Sequence, residues 1–164
     1  MKILKANWIH PPEIEEWLRK MCIDRTLNVC CGKSKIGDVR LDILPFPKSN
    51  ATETGDLFKV REKYGPMAFD TVICDPPFEY YFHGRNWLLQ LSDVARKRLL
   101  LSAPQVSLYM VNGGTNTGKW EQNLYAFQMP AHRYLRLYYC FDRRDEGLFS
   151  ESYLPEKSQV EKGS

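Results

Sequence analysis

One glycine and three aspartates stand at the ends of short apolar segments of this sequence. They are Gly32, Asp42, Asp56 and Asp75. A glycine lets a backbone turn approach a ligand closely, and carboxylates accept hydrogen bonds from hydroxyl and amino groups. We therefore expect these residues to form a nucleoside site. In that site Asp42 accepts from two ribose hydroxyls and Asp56 accepts from an exocyclic adenine amine, with Leu57 against the ring.

The segments that position these residues alternate between helix and strand patterns. Helical spacing of apolar residues covers 11–22 and 84–97, and a brief helix is predicted over 57–64. Strand patterns cover 26–31, 38–43, 69–74 and 98–103, with a very short strand before Gly55. This alternation indicates an α/β fold, a mostly parallel sheet with helices on both faces. Ligands bind beyond the carboxyl ends of such strands, so the four residues should meet there.

The end of the chain follows a different pattern. Residues 124–129 and 134–142 alternate in polarity on either side of a four-residue turn, which predicts an antiparallel hairpin at a sheet edge. One face of its second strand is semi-polar and contains Tyr134, Arg136, Tyr138 and Cys140. We expect one domain over residues 1–150, followed by a flexible tail over 151–164.

The order of four motifs resembles that of the class I methyltransferases that use S-adenosyl-L-methionine. The motifs are LNVCCGKSKIG, VRLD, TGDL and VICDPPF, and they span about residues 26–80. The resemblance implies a Rossmann-like methyltransferase fold with S-adenosylmethionine as cofactor and no metal. The cofactor-binding residues that it implies are Cys30, Cys31, Gly32, Asp42, Asp56, Leu57 and Asp75.

The tetrapeptide DPPF is similar to the fourth motif of enzymes that methylate exocyclic amino groups of bases, chiefly adenine N6. In that family the aspartate and a proline carbonyl accept hydrogen bonds from the target amine, and the aromatic residue stacks on the flipped base. Carried over, these catalytic roles fall to Asp75, Pro76, Pro77 and Phe78. The lone pair of such an amine is delocalised into the ring. Two fixed acceptors therefore help by directing its N–H bonds and aiming the lone pair at the methyl group.

The first motif departs from the family pattern at three positions. Asn28 replaces an acid, while Cys30 and Ser34 replace two of three glycines. Ten residues separate Gly32 from Asp42, too few for a crossover helix, so we predict a loop in its place. Lys33 and Lys35 are alternative candidates for the contact to the methionine carboxylate.

Charge is distributed unevenly along the chain. Residues 1–83 hold 12 basic and 12 acidic residues, residues 84–144 hold 9 and 3, and the last twenty hold 2 and 5. The basic part follows DPPF, where a nucleic-acid substrate would lie, but a solvated face has the same composition. The same two interpretations apply to His132, Arg133, Arg136, Arg143 and Arg144. The five cysteines include no CxxC pair, so buried reduced thiols are expected and a zinc site is not.

Two loop segments have motifs of their own. Residues 79–85 interleave aromatic residues with Arg85 and form either a stacking lid over the target or a loop packed on the next helix. Residues 113–119 match GxxxxGK, but Trp120 follows in place of the Ser or Thr that binds Mg²⁺, so a phosphate-binding loop is not expected.

Together these features predict an S-adenosylmethionine-dependent N-methyltransferase acting on adenine N6 in DNA. The alternatives are methyl transfer to RNA, to a protein amide or to a small-molecule nitrogen. A different class is a non-catalytic nucleic-acid-binding protein on the same fold. No signal peptide or bilayer-spanning run is recognised, so a cytoplasmic location is expected. The 164 residues leave no room for a separate recognition domain, so a partner subunit or homo-oligomer is a candidate aid to target recognition.

Overall fold

Residues 10–77, 79–80, 86–103, 120–128 and 135–143 are described by the computed structural model of the chain. The helices are α1 (Pro12–Met21), α2 (Val60–Tyr64) and α3 (Asn86–Val94), and a single 3-10 turn, Leu57–Lys59, precedes α2. The strands are β1 (Thr26–Val29), β2 (Val39–Asp42), β3 (Glu53–Thr54), β4 (Phe69–Cys74), β5 (Ala95–Ala103), β6 (Trp120–Gln128) and β7 (Leu135–Arg143).

The strands form one seven-stranded sheet in the order β3-β2-β1-β4-β5-β7-β6. The five strands from β3 to β5 are parallel, while β7 is antiparallel to both β5 and β6. The chain first adds strands outward from β1 to β3 and then returns to the other side of β1 with β4. The switch point of the sheet therefore lies between β1 and β4, where Val29 pairs with Cys74.

Successive side chains of each strand point to opposite faces of the sheet, so they form two cores, one on each face. The larger core contains Leu27, Val72 and Leu101 with Leu91 of α3. The smaller core contains Ile73, Leu100 and Tyr138 with Ile14 and Leu18 of α1. All six residues of β4 are buried because both faces are covered. The predicted α/β fold with helices on both faces is confirmed.

The predicted loop between β1 and β2 is also confirmed, and it covers the sheet where a helix is missing. Ile36 packs in the smaller core, beside Ile14 and Ile73. The Asn28 side-chain amide donates to the Ile36 carbonyl at 3.1 Å, and the Ser34 hydroxyl accepts from the Ile36 N–H at 3.2 Å. Asn28 and Ser34, two of the three residues that depart from the first motif, therefore hold this loop in place.

Gly37 is the position in this loop where a side chain is least tolerable. Its φ is +99°, and a Cβ there would lie 3.2 Å from both Asn28 Cβ and the Val39 oxygen. We expect Gly37→Ala to lower the free energy of unfolding by about 1–3 kcal/mol in urea denaturation. Gly65 is the matched control, because its φ is +82° but nothing lies within 4 Å of a Cβ. A loss in Gly65→Ala as large as that in Gly37→Ala would contradict the role of crowding.

The end of α3 and the beginnings of β5 and β6 differ from the sequence predictions by three or four residues. α3 ends at Val94 and β5 begins at Ala95, three residues before the predicted strand at 98, because the buried Ala95 pairs with Phe69. β6 begins at Trp120 rather than 124, and the guanidinium of Arg143 covers the Trp120 ring at 4.4 Å.

The predicted antiparallel hairpin at a sheet edge is confirmed. β7 lies between β5 and β6, so β6 forms the edge of the described sheet and β7 is interior. The predicted turn at 130–133, the segment 104–119 and the tail at 151–164 lie outside the described residues. Within the described ranges, no helix has the length and apolar composition needed to span a membrane.

Candidate active site

The chain turns sharply where β1 ends. Cys30 and Gly32 have φ values of 56° and 52°, in the left-handed region that favours glycine. The Cys31 N–H donates to the Leu41 carbonyl at 3.2 Å, and the Gly32 N–H donates to Asp42 Oδ2 at 2.9 Å. The turn is therefore attached to the end of β2, although only one of the family's three glycines remains.

Asp42 ends β2 and accepts two backbone hydrogen bonds. Besides Gly32, the Leu44 N–H donates to its Oδ1 at 2.9 Å. A carboxylate has about four acceptor positions, so these two bonds leave capacity for hydroxyl donors. Ile43, the next residue, is 61% exposed and presents an apolar surface beside this carboxylate.

Asp56 is held next to Asp42 through the backbone. The Gly55 N–H donates to the Asp42 carbonyl at 2.9 Å, and the Asp56 Oδ1 accepts from the Phe58 N–H at 2.9 Å. A Cβ on Gly55 would lie 2.9 Å from Leu41 Cδ1, so the glycine permits this close approach. Leu57 lies in the larger core with 3% of its surface exposed. Its predicted contact with an adenine ring remains a prediction.

Two cysteine thiols meet at the switch point. Burial, followed by the neighbouring Cys30, raises the pKa of Cys74 well above its usual range. Burial also raises the pKa of Cys31 to about 12. Cys74 and Cys31 are therefore protonated thiols at physiological pH. All five cysteines are free; Cys31, Cys74 and Cys140 are buried and the other two are partly buried.

The DPPF segment begins directly after β4. Asp75 and Pro76 are largely buried, Pro77 is exposed, and Phe78 lies outside the described residues. The Pro77 carbonyl accepts from the Tyr80 N–H at 2.9 Å, and the Tyr80 ring packs 5.5 Å from that of Phe58. Burial, followed by Cys30 and Asp56, raises the pKa of the Tyr80 hydroxyl. Tyr80 thus packs on the 3-10 turn that precedes α2, residues 81–85 lie outside the described ranges, and both interpretations of the loop stay predictions.

Asp75 forms an ion pair with Arg136, at the beginning of β7. The side chains of Arg136 and Asp75 are 8% and 12% exposed. Arg136 Nε also donates to the Ser102 hydroxyl at 3.2 Å, and its guanidinium lies 5.7 Å from the Tyr138 ring centre. The prediction that Arg136 contacts phosphates or solvent is therefore wrong. β7 is inserted beside β5, and this pairing brings Arg136 to the carboxyl end of β4.

The other described cations of residues 84–144 also make intramolecular contacts. Arg96 and Lys97 pair with Asp70, Arg98 pairs with Asp142, and Arg143 donates to the Ser92 and Ala95 carbonyls. Arg96, Lys97 and Arg98 stand at the amino end of β5, the edge opposite the candidate site. For Arg143, both the phosphate-contact and the solvated-face interpretation are wrong, because its guanidinium donates hydrogen bonds within the fold. Arg85, Lys119, His132, Arg133 and Arg144 lie outside the described residues.

The two lysines proposed for the methionine carboxylate have different surroundings. The Lys33 ammonium donates to the Pro47 carbonyl and so binds the loop that follows β2. Lys35 is exposed. Across the described residues, no group of three His, Cys, Asp or Glu side chains is arranged to hold a metal ion.

His10 extends the polar cluster behind Arg136 and makes folding sensitive to pH. Its Nδ1 is 3.0 Å from the Tyr138 hydroxyl. Burial lowers the pKa of His10 below 6.5, although Asp75 opposes this. The unfolded chain therefore protonates His10 at a higher pH than the folded chain does. The contribution of neutral His10 to the free energy of unfolding is present above pH 6.5 and is lost as the pH falls towards the pKa of the folded state.

We expect the free energy of unfolding of the wild type to decline more steeply than that of His10→Asn between about pH 6.5 and 5. Asparagine places an uncharged amide near the position of Nδ1. Urea denaturation at a series of pH values measures the difference, and the two remaining histidines are common to both proteins. Parallel curves would contradict a neutral, buried His10.

The fold has a counterpart among solved structures, while no protein-family model and no curated protein matches the chain. The human methyltransferase 10 domain containing protein is similar with a TM-score of 0.53 and 12% sequence identity, over 81% of each chain. At this identity the likeness concerns the fold. The seven-stranded, mostly parallel sheet flanked by helices is therefore a methyltransferase-like fold.

Proposed function

We propose that this protein transfers a methyl group from S-adenosylmethionine to an exocyclic amino nitrogen of a nucleic-acid base. The observation that carries the proposal is the placement of Asp75-Pro76-Pro77. This segment leaves β4 at the switch point, next to the turn at Cys30–Gly32 and the carboxylate of Asp42. It is the location where open α/β sheets bind their ligands.

The residues at this edge fit the hydrogen-bonding chemistry of S-adenosylmethionine. The ribose hydroxyls and the adenine amine of the cofactor are donors, and Asp42 and Asp56 are acceptors at one edge of the sheet. Ile43 adds exposed apolar surface for a ring. Lys33 already donates to Pro47, so Lys35 remains the candidate for the cofactor carboxylate.

Asp75 and a proline carbonyl of the DPPF segment orient the acceptor amine by accepting its two N–H bonds. S-adenosylmethionine, when bound, supplies an electrophilic methyl group and leaves as a neutral thioether. The acceptor nitrogen forms one bond to carbon and releases one proton, which is carried away by solvent. The contribution of the protein is orientation and electrostatic stabilisation, without a covalent intermediate.

We propose adenine N6 in DNA as the first acceptor, with RNA as the alternative. The support for a base amine is the similarity of DPPF to the motif of base amino-methyltransferases. A second candidate is a protein amide or small-molecule nitrogen. The placement of the described cations of residues 84–144 favours it, since Arg136 is buried in its ion pair and the others stand at the edge of the sheet opposite the site; these are Arg96, Lys97, Arg98 and Arg143. The turn that forms with Cys30 and Ser34 supports cofactor binding over a purely nucleic-acid-binding role.

The experiment that tests the proposal offers labelled S-adenosylmethionine with DNA, RNA, protein and small amines, and then identifies the labelled product. N6-methyladenine in DNA would support the first acceptor, and the same product in RNA would select the alternative. Label in protein or in a small amine would overturn the nucleic-acid assignment. Absence of label from all of them would overturn the activity.

Cofactor binding can be tested separately by calorimetric titration with S-adenosylmethionine. We expect Asp42→Ala to weaken binding by about 10-fold or more, since charge-assisted hydrogen bonds to the ribose hydroxyls are lost. Asp38→Ala is the matched control, because Asp38 lies immediately before β2, at its opposite end, and accepts a backbone hydrogen bond from Thr26 at 2.8 Å. No binding to the wild type, or equal weakening in both variants, would contradict the assignment of Asp42.

A further inference from the structure

We propose that Arg136 is a positioning residue that orients the Asp75 carboxylate towards the acceptor amine. This inference rests on the proposed function and names a residue that belongs to none of the four motifs. Arg136 lies 61 positions from Asp75 in the sequence and is brought to it by the β5–β7 pairing. The ion pair is direct and largely buried.

The guanidinium of Arg136 is restrained from three directions. It pairs with Asp75, donates to the Ser102 hydroxyl at 3.2 Å and lies over the Tyr138 ring at 5.7 Å. The Tyr138 hydroxyl is itself 3.0 Å from His10 Nδ1, so the ring below the guanidinium has its own support. Since β5 and β7 are interior strands with both neighbours paired, the backbones of Ser102 and Arg136 are held by the sheet.

Such an arrangement suits orientation better than simple charge compensation. A guanidinium is planar and its donors have fixed directions, so a restrained guanidinium restrains the plane of the carboxylate it binds. The direction of that plane decides where the acceptor N–H bonds point. Misplacement of reacting groups by about 1 Å costs on the order of 100-fold in rate. Lysine at this position would keep the charge and lose the directions.

The test is a double-mutant cycle on kcat, with Arg136→Lys made in the wild-type and Asp75→Asn backgrounds. The assay uses labelled S-adenosylmethionine and a single-stranded adenine-containing oligodeoxynucleotide, or the matching oligoribonucleotide. In the wild-type background we expect kcat to fall about 10- to 100-fold, with the dissociation constant for S-adenosylhomocysteine within about twofold. In the Asp75→Asn background the same change should alter kcat by less than about twofold, because Arg136 acts through Asp75.

The control is Arg98→Lys, on the neighbouring strand. Arg98 pairs with Asp142 at 2.5 Å and donates to the Met21 carbonyl, but it lies at the opposite edge of the sheet. We expect this variant to keep the wild-type kcat. Ser102→Ala supplies a second variant should Arg136→Lys fold poorly, and loss of its anchor on Nε should lower kcat by about 3- to 10-fold with the cofactor affinity unchanged.

Separate outcomes distinguish the two proposals. A wild type that transfers no label overturns the proposed function and this inference with it. An active wild type overturns the positioning role alone if Arg136→Lys and Ser102→Ala keep full kcat, or if Arg136→Lys has equal effects in both backgrounds. A loss in Arg98→Lys equal to that in Arg136→Lys also overturns the positioning role, because it would show a general effect of stability.

Discussion

Asp75→Asn is expected to reduce labelled methyl transfer by at least about 100-fold, while the dissociation constant for S-adenosylmethionine changes by less than about threefold. Arg136 donates to the Asp75 carboxylate, so an asparagine at this position turns its amide oxygen towards Arg136. The amide NH₂ then lies on the side away from Arg136, where the proposed acceptor amine needs a hydrogen-bond acceptor. The amide NH₂ and the acceptor amine are both donors, so no hydrogen bond forms between them. The acceptor amine then loses the orientation that the carboxylate provides.

Asp70→Asn is the matched control for this loss. Asp70 lies near the opposite end of β4, is also mostly buried, and pairs with Arg96 and Lys97. We expect this variant to retain wild-type activity, since Asp70 lies in β4 and Asp75 directly follows that strand, but only Asp75 lies at the candidate site. Full activity in Asp75→Asn, or an equal loss in both variants, would contradict the catalytic role of Asp75.

The second large effect concerns stability. We expect Arg136→Met to lower the free energy of unfolding by about 3–5 kcal/mol, because Asp75 is left largely buried without its counter-ion. Removing the charge of Asp75 as well should recover part of the loss. The double variant Asp75→Asn with Arg136→Met should therefore be more stable than the sum of the single changes predicts, by about 1–3 kcal/mol. Urea denaturation of the four proteins measures this coupling.

Arg98→Met gives the comparison for a more exposed pair. Its partner Asp142 is 33% exposed, so solvent screens the charge that remains and the expected loss is about 1 kcal/mol. An equal cost for Arg136→Met and Arg98→Met would contradict the special burial of the Asp75–Arg136 pair. Additive single losses in the double variant would contradict the pairing itself.

Local patterns were sufficient for most of the parallel half of the fold. FDTVIC is near-continuously apolar and is stopped by Asp75-Pro76-Pro77, and the observed strand β4 is Phe69–Cys74. The short connection after Gly32 excluded a helix by length alone. The boundary of β5 could not be obtained this way, because residues 95–97 continue the helical pattern in the sequence. In the structure Ala95 pairs with Phe69, so the strand begins there. In that segment a tertiary contact outweighs the local preference.

The candidate site was accessible to sequence reasoning only where its residues end parallel strands. Asp42, Asp56 and Asp75 follow successive strands, and parallel strands bring their carboxyl ends to one edge. The hairpin carries no comparable signal. Alternation placed Arg136 and Tyr138 on one face, but the same pattern fits an edge strand facing solvent and an interior strand facing a core.

The α/β class, the short loop in the first motif and the acids at the strand ends could be predicted from the sequence, because they depend on local periodicity, chain length and the direction of parallel strands. The insertion of β7 beside β5 depends instead on long-range strand pairing. That insertion buries Arg136 against Asp75 and stacks Arg143 on Trp120, while pairing across the amino edge of the sheet binds Arg98 to Asp142. The sequence shows the charge of each side chain, but its ion-pair partner depends on which strands become neighbours in the sheet.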